Sequence, residues 1–167
     1  MYFQQLKNQL LSGQTTFTKA LPDALPKLRG NITDDKLIWL SSELQGYPDA
    51  LSFYQSQHHG LPAYRVVRGS LHILRPDGSF EPLIHPYANR QDFFLSAPIS
   101  WIEEFSTLPG EESLVELQEF GQFIARTGGG GVVCACQKLE LKRIIAVFRN
   151  EFIKLIDEVI AKQPQQQ

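Results

Sequence analysis

"ELQGYP" at 43–48 and "LPAYRVVRGSLHIL" at 61–74 decide the fold, because the hydrophobic period changes between them. Before the first, apolar residues recur at helical spacing; within the second, "YRVVRGSLHIL" is rich in residues that favour strands. Gly46 offers a helix stop and Pro48 forbids continuation. The chain therefore reads as helices followed by sheet, an α+β domain with N-terminal helices, a central β-hairpin, one additional strand and a long C-terminal helix.

Upstream, "MYFQQLKNQLL" places Phe3, Leu6, Leu10 and Leu11 on one helical face, ended by Ser12-Gly13. Residues 15–30 contain Pro22 and Pro26 and are expected to be at most a broken helix. In "TDDKLIWLSSELQ", Thr33 or Asp34 caps a helix whose stripe is Leu37, Leu40 and Leu44. Downstream, "RPDGS" is the turn of a hairpin spanning 64–74 and 80–85. Residues 86–110 look irregular apart from a short helix anchored by Trp101 and Phe105. The run 111–125 reads as an amphipathic helix using Leu114, Leu117, Phe120 and Ile124, and the glycines at 128–131 as a connector. "GVVCACQK" is the additional strand. Residues 139–162 form the longest helix, and "PQQQ" at 164–167 is expected to be a disordered polar tail. No repeat or linker divides the chain, so 1–163 is one domain.

Composition narrows the function classes. The chain has 167 residues, 43% of them apolar, and a formal charge of −2, which gives no whole-molecule attraction for nucleic acid or anionic membrane. No secretory signal or membrane span is evident, so a cytoplasmic location is expected. Cys134 and Cys136 alternate on the strand and read as buried thiols. The histidines, including His58-His59, lack zinc-type spacing, so neither metal nor cofactor is expected. "TGGGGVV" lacks the Gly-Lys-Ser/Thr ending of a phosphate loop.

The quoted motifs carry the candidate site. Glu43 falls at the end of a helix whose apolar face enters the core, and Arg65 falls where the hairpin begins. A carboxylate there needs an arginine or several donors. Tyr47 and Tyr64 can seal the junction with their rings while their hydroxyls find polar partners. The four residues read either as a structural polar cluster or as a cleft for a ligand or partner; no catalytic residue is assigned. On the last helix, Leu141, Ile145, Phe148, Phe152, Leu155 and Val159 form a stripe at near-heptad spacing, expected to drive self-association. Acidic residues concentrate at 101–120 and basic ones at 61–75 and 138–150, a separation that suits pairing with a copy or a charged partner.

"LSSELQGYPDA" and "LPAYRVVRGSL" resemble the central signature of the AbiTii domain of bacterial abortive-infection and phage-resistance proteins. "LKRIIAVFRNEFIKLIDEVI" is similar to that family's second marked stretch, a long helix. It departs from the pattern at Phe148, where valine is usual, and at Glu151, which replaces an arginine. The resemblance covers about residues 33–162 and implies a role in defence against phage, without a set of catalytic residues. Arg149 and Asn150 match the family's Arg-Asn and are candidates for a polar contact on the helix. The expectation is a non-catalytic interaction or regulatory component, working as a homo-oligomer or through an effector protein encoded nearby. The alternatives are a small toxin nuclease built around Glu43, Tyr64 and Arg65, or a nucleic-acid or nucleotide sensor using Arg65, Arg68, Lys142, Arg143 and Arg149.

Overall fold

Helix α1 (Tyr2–Ser12) ends where Gly13 turns left-handed at φ 77°, as the sequence predicts. It buries Phe3, Leu6 and Leu10, whereas Leu11 is exposed and leaves the expected stripe. The computed structural model describes residues 1–55, 60–121 and 130–163. His58-His59, Ile124, Gly128, Gly129 and the polar tail lie outside those residues.

Helix α2 (Phe17–Leu28) is continuous through Pro22 and Pro26, against the expectation of a break. The prolines, four apart, share the exposed face, where the carbonyls they leave unbonded can be hydrated. The opposite face buries Phe17, Leu21, Ala24 and Leu28, and that burial outweighs the missing helical bonds. A distant carboxylate adds a cap: Glu103 accepts from the Phe17 and Thr18 N–H groups at 2.9 and 2.6 Å.

Helix α3 (Asp34–Gln45) starts on Thr33, whose hydroxyl accepts from the Lys36 N–H, and Asp34 and Asp35 lie at its positive end. Its C-terminal Gly46 adopts φ 102°, and a Cβ there would meet the Ser96 carbonyl at 3.2 Å. The left-handed conformation favours glycine, and the close Ser96 carbonyl adds to the cost of any side chain.

The hairpin is β1 (Val66–Leu74) and β2 (Phe80–Pro82), entered through a 3-10 turn at Ala63–Arg65. The return strand is shorter than predicted, ending at Pro82, although the Leu83 N–H still donates to the Leu71 carbonyl at 3.0 Å. The region read as irregular contributes β3 (Asp92–Phe94), paired antiparallel with the start of β1. It also contains α4 (Ile99–Ser106), which is anchored by Ile99 and Ile102, with Trp101 and Phe105 only half-buried.

The run predicted as a helix from 111 is instead β4 (Glu112–Glu116), followed by a 3-10 turn at 118–121. Ser113, Val115 and Leu117 are buried at period two, a pattern that coexists with the helical one in this short run. Pairing decides between them, because β4 completes the ladder of β5 (Gly131–Gln137), the cysteine strand. The antiparallel sheet runs β2-β1-β5-β4, with β3 also on β1. Cys134 and Cys136 are buried free thiols. Gly69 on β1 faces them closely: a Cβ there would lie 2.3 Å from the Ala135 carbonyl oxygen.

Helix α5 (Lys138–Lys162) runs unbroken and packs on α1 and α4. Leu141, Phe148 and Phe152 are fully buried, Leu155 and Val159 nearly so, and Ile145 is half-buried. Phe17 lies 4.6 Å from Phe148 and 5.6 Å from Phe152, ring centre to ring centre. The stripe expected to self-associate is thus interior. Its length exceeds what one helix covers, but several elements of the same chain cover it together. Among the described residues no helix is long and apolar enough to cross a membrane.

Candidate functional site

Glu43 and Arg65 meet at the junction of α3 and the hairpin. Arg65 Nη2 donates to Glu43 Oε1 at 2.7 Å and Nε to Oε2 at 3.2 Å, and both residues have no exposed surface. The geometry is the bidentate fork that suits guanidinium and carboxylate. Oε2 accepts two further bonds, from Tyr47 at 2.5 Å and Tyr64 at 2.6 Å. Arg65 Nη1 donates to the Leu95 and Ala97 carbonyls at 3.0 and 2.5 Å. Trp39, four residues before Glu43 on α3, donates to the Tyr64 hydroxyl at 2.8 Å. All four residues read from the sequence come together.

The cluster is electrostatically self-contained. Burial works against the Arg65 charge, and Glu43 more than restores it through charge and hydrogen bonding, so the guanidinium stands above its ordinary value. Burial and then the Glu43 charge push the Tyr47 and Tyr64 phenols up, which keeps both as donors. Each oxygen of Glu43 is engaged, and the carboxylate has no open position for a substrate or a metal ion. The arrangement clamps α3, the turn before β1 and the stretch 95–97 to one another.

That stretch has two sides. Leu95 and Ala97 turn their carbonyls to Arg65, while the intervening Ser96 bonds Tyr47 N–H through its carbonyl at 3.0 Å. Its hydroxyl donates to Glu119 Oε2 at 2.5 Å. Here the molecule opens into a cleft of about 670 Å³, lined by α3 from Leu37 to Gly46, by Ser96–Pro98 and Trp101, by Glu116–Glu119 and by Arg29. Tyr47 belongs to both cluster and cleft. Glu119 Oε1 is buried without a partner, and burial pushes its carboxyl up, against the Ser96 bond that lowers it. The cleft volume lies within the range of small-ligand sites.

The basic residues assigned to a sensor are not gathered at this site. Arg143 is used structurally, donating to the Tyr64 and Val66 carbonyls at 3.0 and 2.8 Å. Arg68 is exposed and Arg65 is sealed. Arg149 is half-buried and Asn150 exposed on α5, and neither joins the cluster. Among the described residues no three His, Cys, Asp or Glu side chains converge.

Sequence reading missed Trp39, Ser96 and Glu119. Trp39 was findable, since it lies one helical turn from Glu43 on the same face. Ser96 and Glu119 carry no local signal, because the fold brings them together across 23 positions. The geometry defines an α+β domain with a sealed ionic clamp beside an open cleft. Compared with protein-family models, curated proteins and solved structures, the chain gives no match.

Proposed function

We propose that the chain is a non-catalytic interaction domain of a bacterial anti-phage system, acting in the cytoplasm by holding a partner or ligand in the cleft beside the Glu43–Arg65 clamp. The observation that carries this reading is the saturation of Glu43: two bonds from Arg65 and two from tyrosines occupy a carboxylate with no exposed surface. A catalytic carboxylate needs reach to a substrate proton or a metal, and this one is spent on positioning. The likeness of the two motifs and the last helix to AbiTii domains supports the defence context. Because the α5 stripe is interior, a partner or ligand in the cleft is favoured over helix-driven oligomerisation. The rival toxin enzyme would need Glu43 to release its donors.

Incubating the purified protein with DNA, RNA or nucleotides, in magnesium or manganese, tests this. The expected result is no cleavage and no nucleotide consumption. Metal-dependent nuclease activity, lost in a folded Glu43→Gln or Arg65→Gln protein, overturns it in favour of the toxin.

A further inference from the structure

The two outer edges of the sheet are unlike. On β2 the odd-numbered residues bond to β1, as the Leu83 N–H does to the Leu71 carbonyl, so Phe80 and Pro82 turn their backbone outward. Pro82 has no N–H to offer there, and proline on the free side closes an edge to further pairing. Strand β4 is built the other way. The Leu117 N–H donates to the Val132 carbonyl at 2.9 Å, and the Lys138 N–H donates to the Glu111 carbonyl at 2.7 Å. With the register, these bonds assign residues 113 and 115 to β5 and leave the N–H and C=O groups of Glu112, Leu114 and Glu116 facing away from the sheet. Among the described residues no strand pairs with that edge, and β4 contains no proline.

The side chains along the edge select what can join it. Ser113 and Val115 are buried on one face, so Glu112, Leu114 and Glu116 share the other as acid, aliphatic, acid. Both glutamates are exposed, and neither forms an ion pair. They belong to the acidic stretch 101–120, in which Glu103 and Glu119 are already taken up by α2 and Ser96. A second copy pairing antiparallel through the centre of β4 would set Glu112 of each chain opposite Glu116 of the other. Like charges directly opposite destabilise such a pair, so the edge disfavours its own copy and suits a basic strand.

We infer that β4 accepts an extended segment of a partner protein as a further antiparallel strand, with basic, aliphatic and basic side chains opposite Glu116, Leu114 and Glu112. The outward backbone groups supply the affinity, and the alternation of charge and apolar contact sets the register. Glu116 also lines the cleft, so one end of the bound segment lies at the cleft wall. The inference rests on the proposed reading of a partner-holding domain and names the partner's chemistry.

Isothermal titration of the full chain with the peptide acetyl-Thr-Lys-Thr-Ile-Thr-Lys-Thr-amide tests it. Saturable binding with Kd of about 1 mM or tighter is expected. The same peptide with glutamate in place of both lysines should bind at least about tenfold more weakly. N-methylation of the isoleucine amide, which faces Leu114, should also weaken binding by about tenfold, whereas N-methylation of a threonine amide facing away should not. Glu112→Lys/Glu116→Lys, checked for a native far-ultraviolet dichroism spectrum, should reject the lysine peptide and bind the glutamate peptide. No saturable binding, indifference to the isoleucine methyl group, or failure of the charge exchange in that folded variant overturns the inference. A wild-type dimer in light scattering that Leu114→Pro converts to a monomer makes a second copy the occupant and likewise overturns it. If no peptide binds while Ser41→Trp still abolishes phage protection, the cleft reading stands and the strand edge is not the docking site.

Discussion

Glu43→Gln changes almost no volume and tests whether the clamp is held by charge. The Gln side chain brings one N–H₂ group to a position that faces donors on both sides: Arg65 Nη2 lies 2.7 Å from Oε1, and Tyr47, Tyr64 and Arg65 Nε all point at Oε2. Arg65 is left as a buried, uncompensated cation. Breaking a pair this deeply buried costs about 3–5 kcal/mol, a large share of a domain's stability. Arg65→Gln should cost about the same, because it strands Glu43 and removes the donor to the Leu95 and Ala97 carbonyls. The double variant has no stranded charge. What remains is the lost bonding at those carbonyls, about 1–3 kcal/mol each. It should therefore fall short of the summed single losses by about 2 kcal/mol or more. Urea unfolding of the four proteins, with unchanged denaturant slopes, measures the cycle. Losses that add to within about 0.5 kcal/mol would refute the argument that charge compensation holds this junction.

Three further perturbations probe other parts of the account. A carboxyl raised by burial stabilises the fold while protonated, fully so below the ordinary value of 4.5, and this contribution is lost as pH rises through its folded value. With Ser96, Tyr54, Cys134 and Glu116 around it, Glu119→Gln should gain thermal stability relative to wild type as pH increases, and a pH-independent difference in Tm would contradict this. Phe152→Ala should lose about 3–5 kcal/mol in urea unfolding and leave the particle mass in light scattering unchanged. A stable variant of reduced mass would return the α5 stripe to an interface. Gly69→Ala forces β1 and β5 apart at the Ala135 carbonyl and should cost about 1–3 kcal/mol, so wild-type stability would show that the strands accommodate it.

The parts of the fold legible in the sequence are those where local chemistry and burial agree. Gly13, Thr33 and Gly46 mark helix boundaries, and the polar Glu43 beside an apolar stripe announces a buried partner; Arg65 is that partner. Reading failed where a tertiary neighbour outvoted the local signal. Pro22 and Pro26 break a helix only if their faces must be satisfied internally, and here they face solvent. The stretch Ser113–Leu117 satisfies both periods, and β5 chooses the strand. The α5 stripe looks excessive for one partner because the sequence does not show that α1, α2 and α4 converge on it. The cleft was invisible for the same reason: its walls come from four separate parts of the chain.

The central claim is that the Glu43–Arg65 cluster is a sealed clamp and that function resides in the cleft beside it. Phage protection by Ser41→Trp, expressed with the neighbouring genes, tests it most directly, since Ser41 lines the cleft without bonding the cluster. The account predicts a folded protein of wild-type thermal stability that no longer protects. Full protection by that folded variant would contradict it.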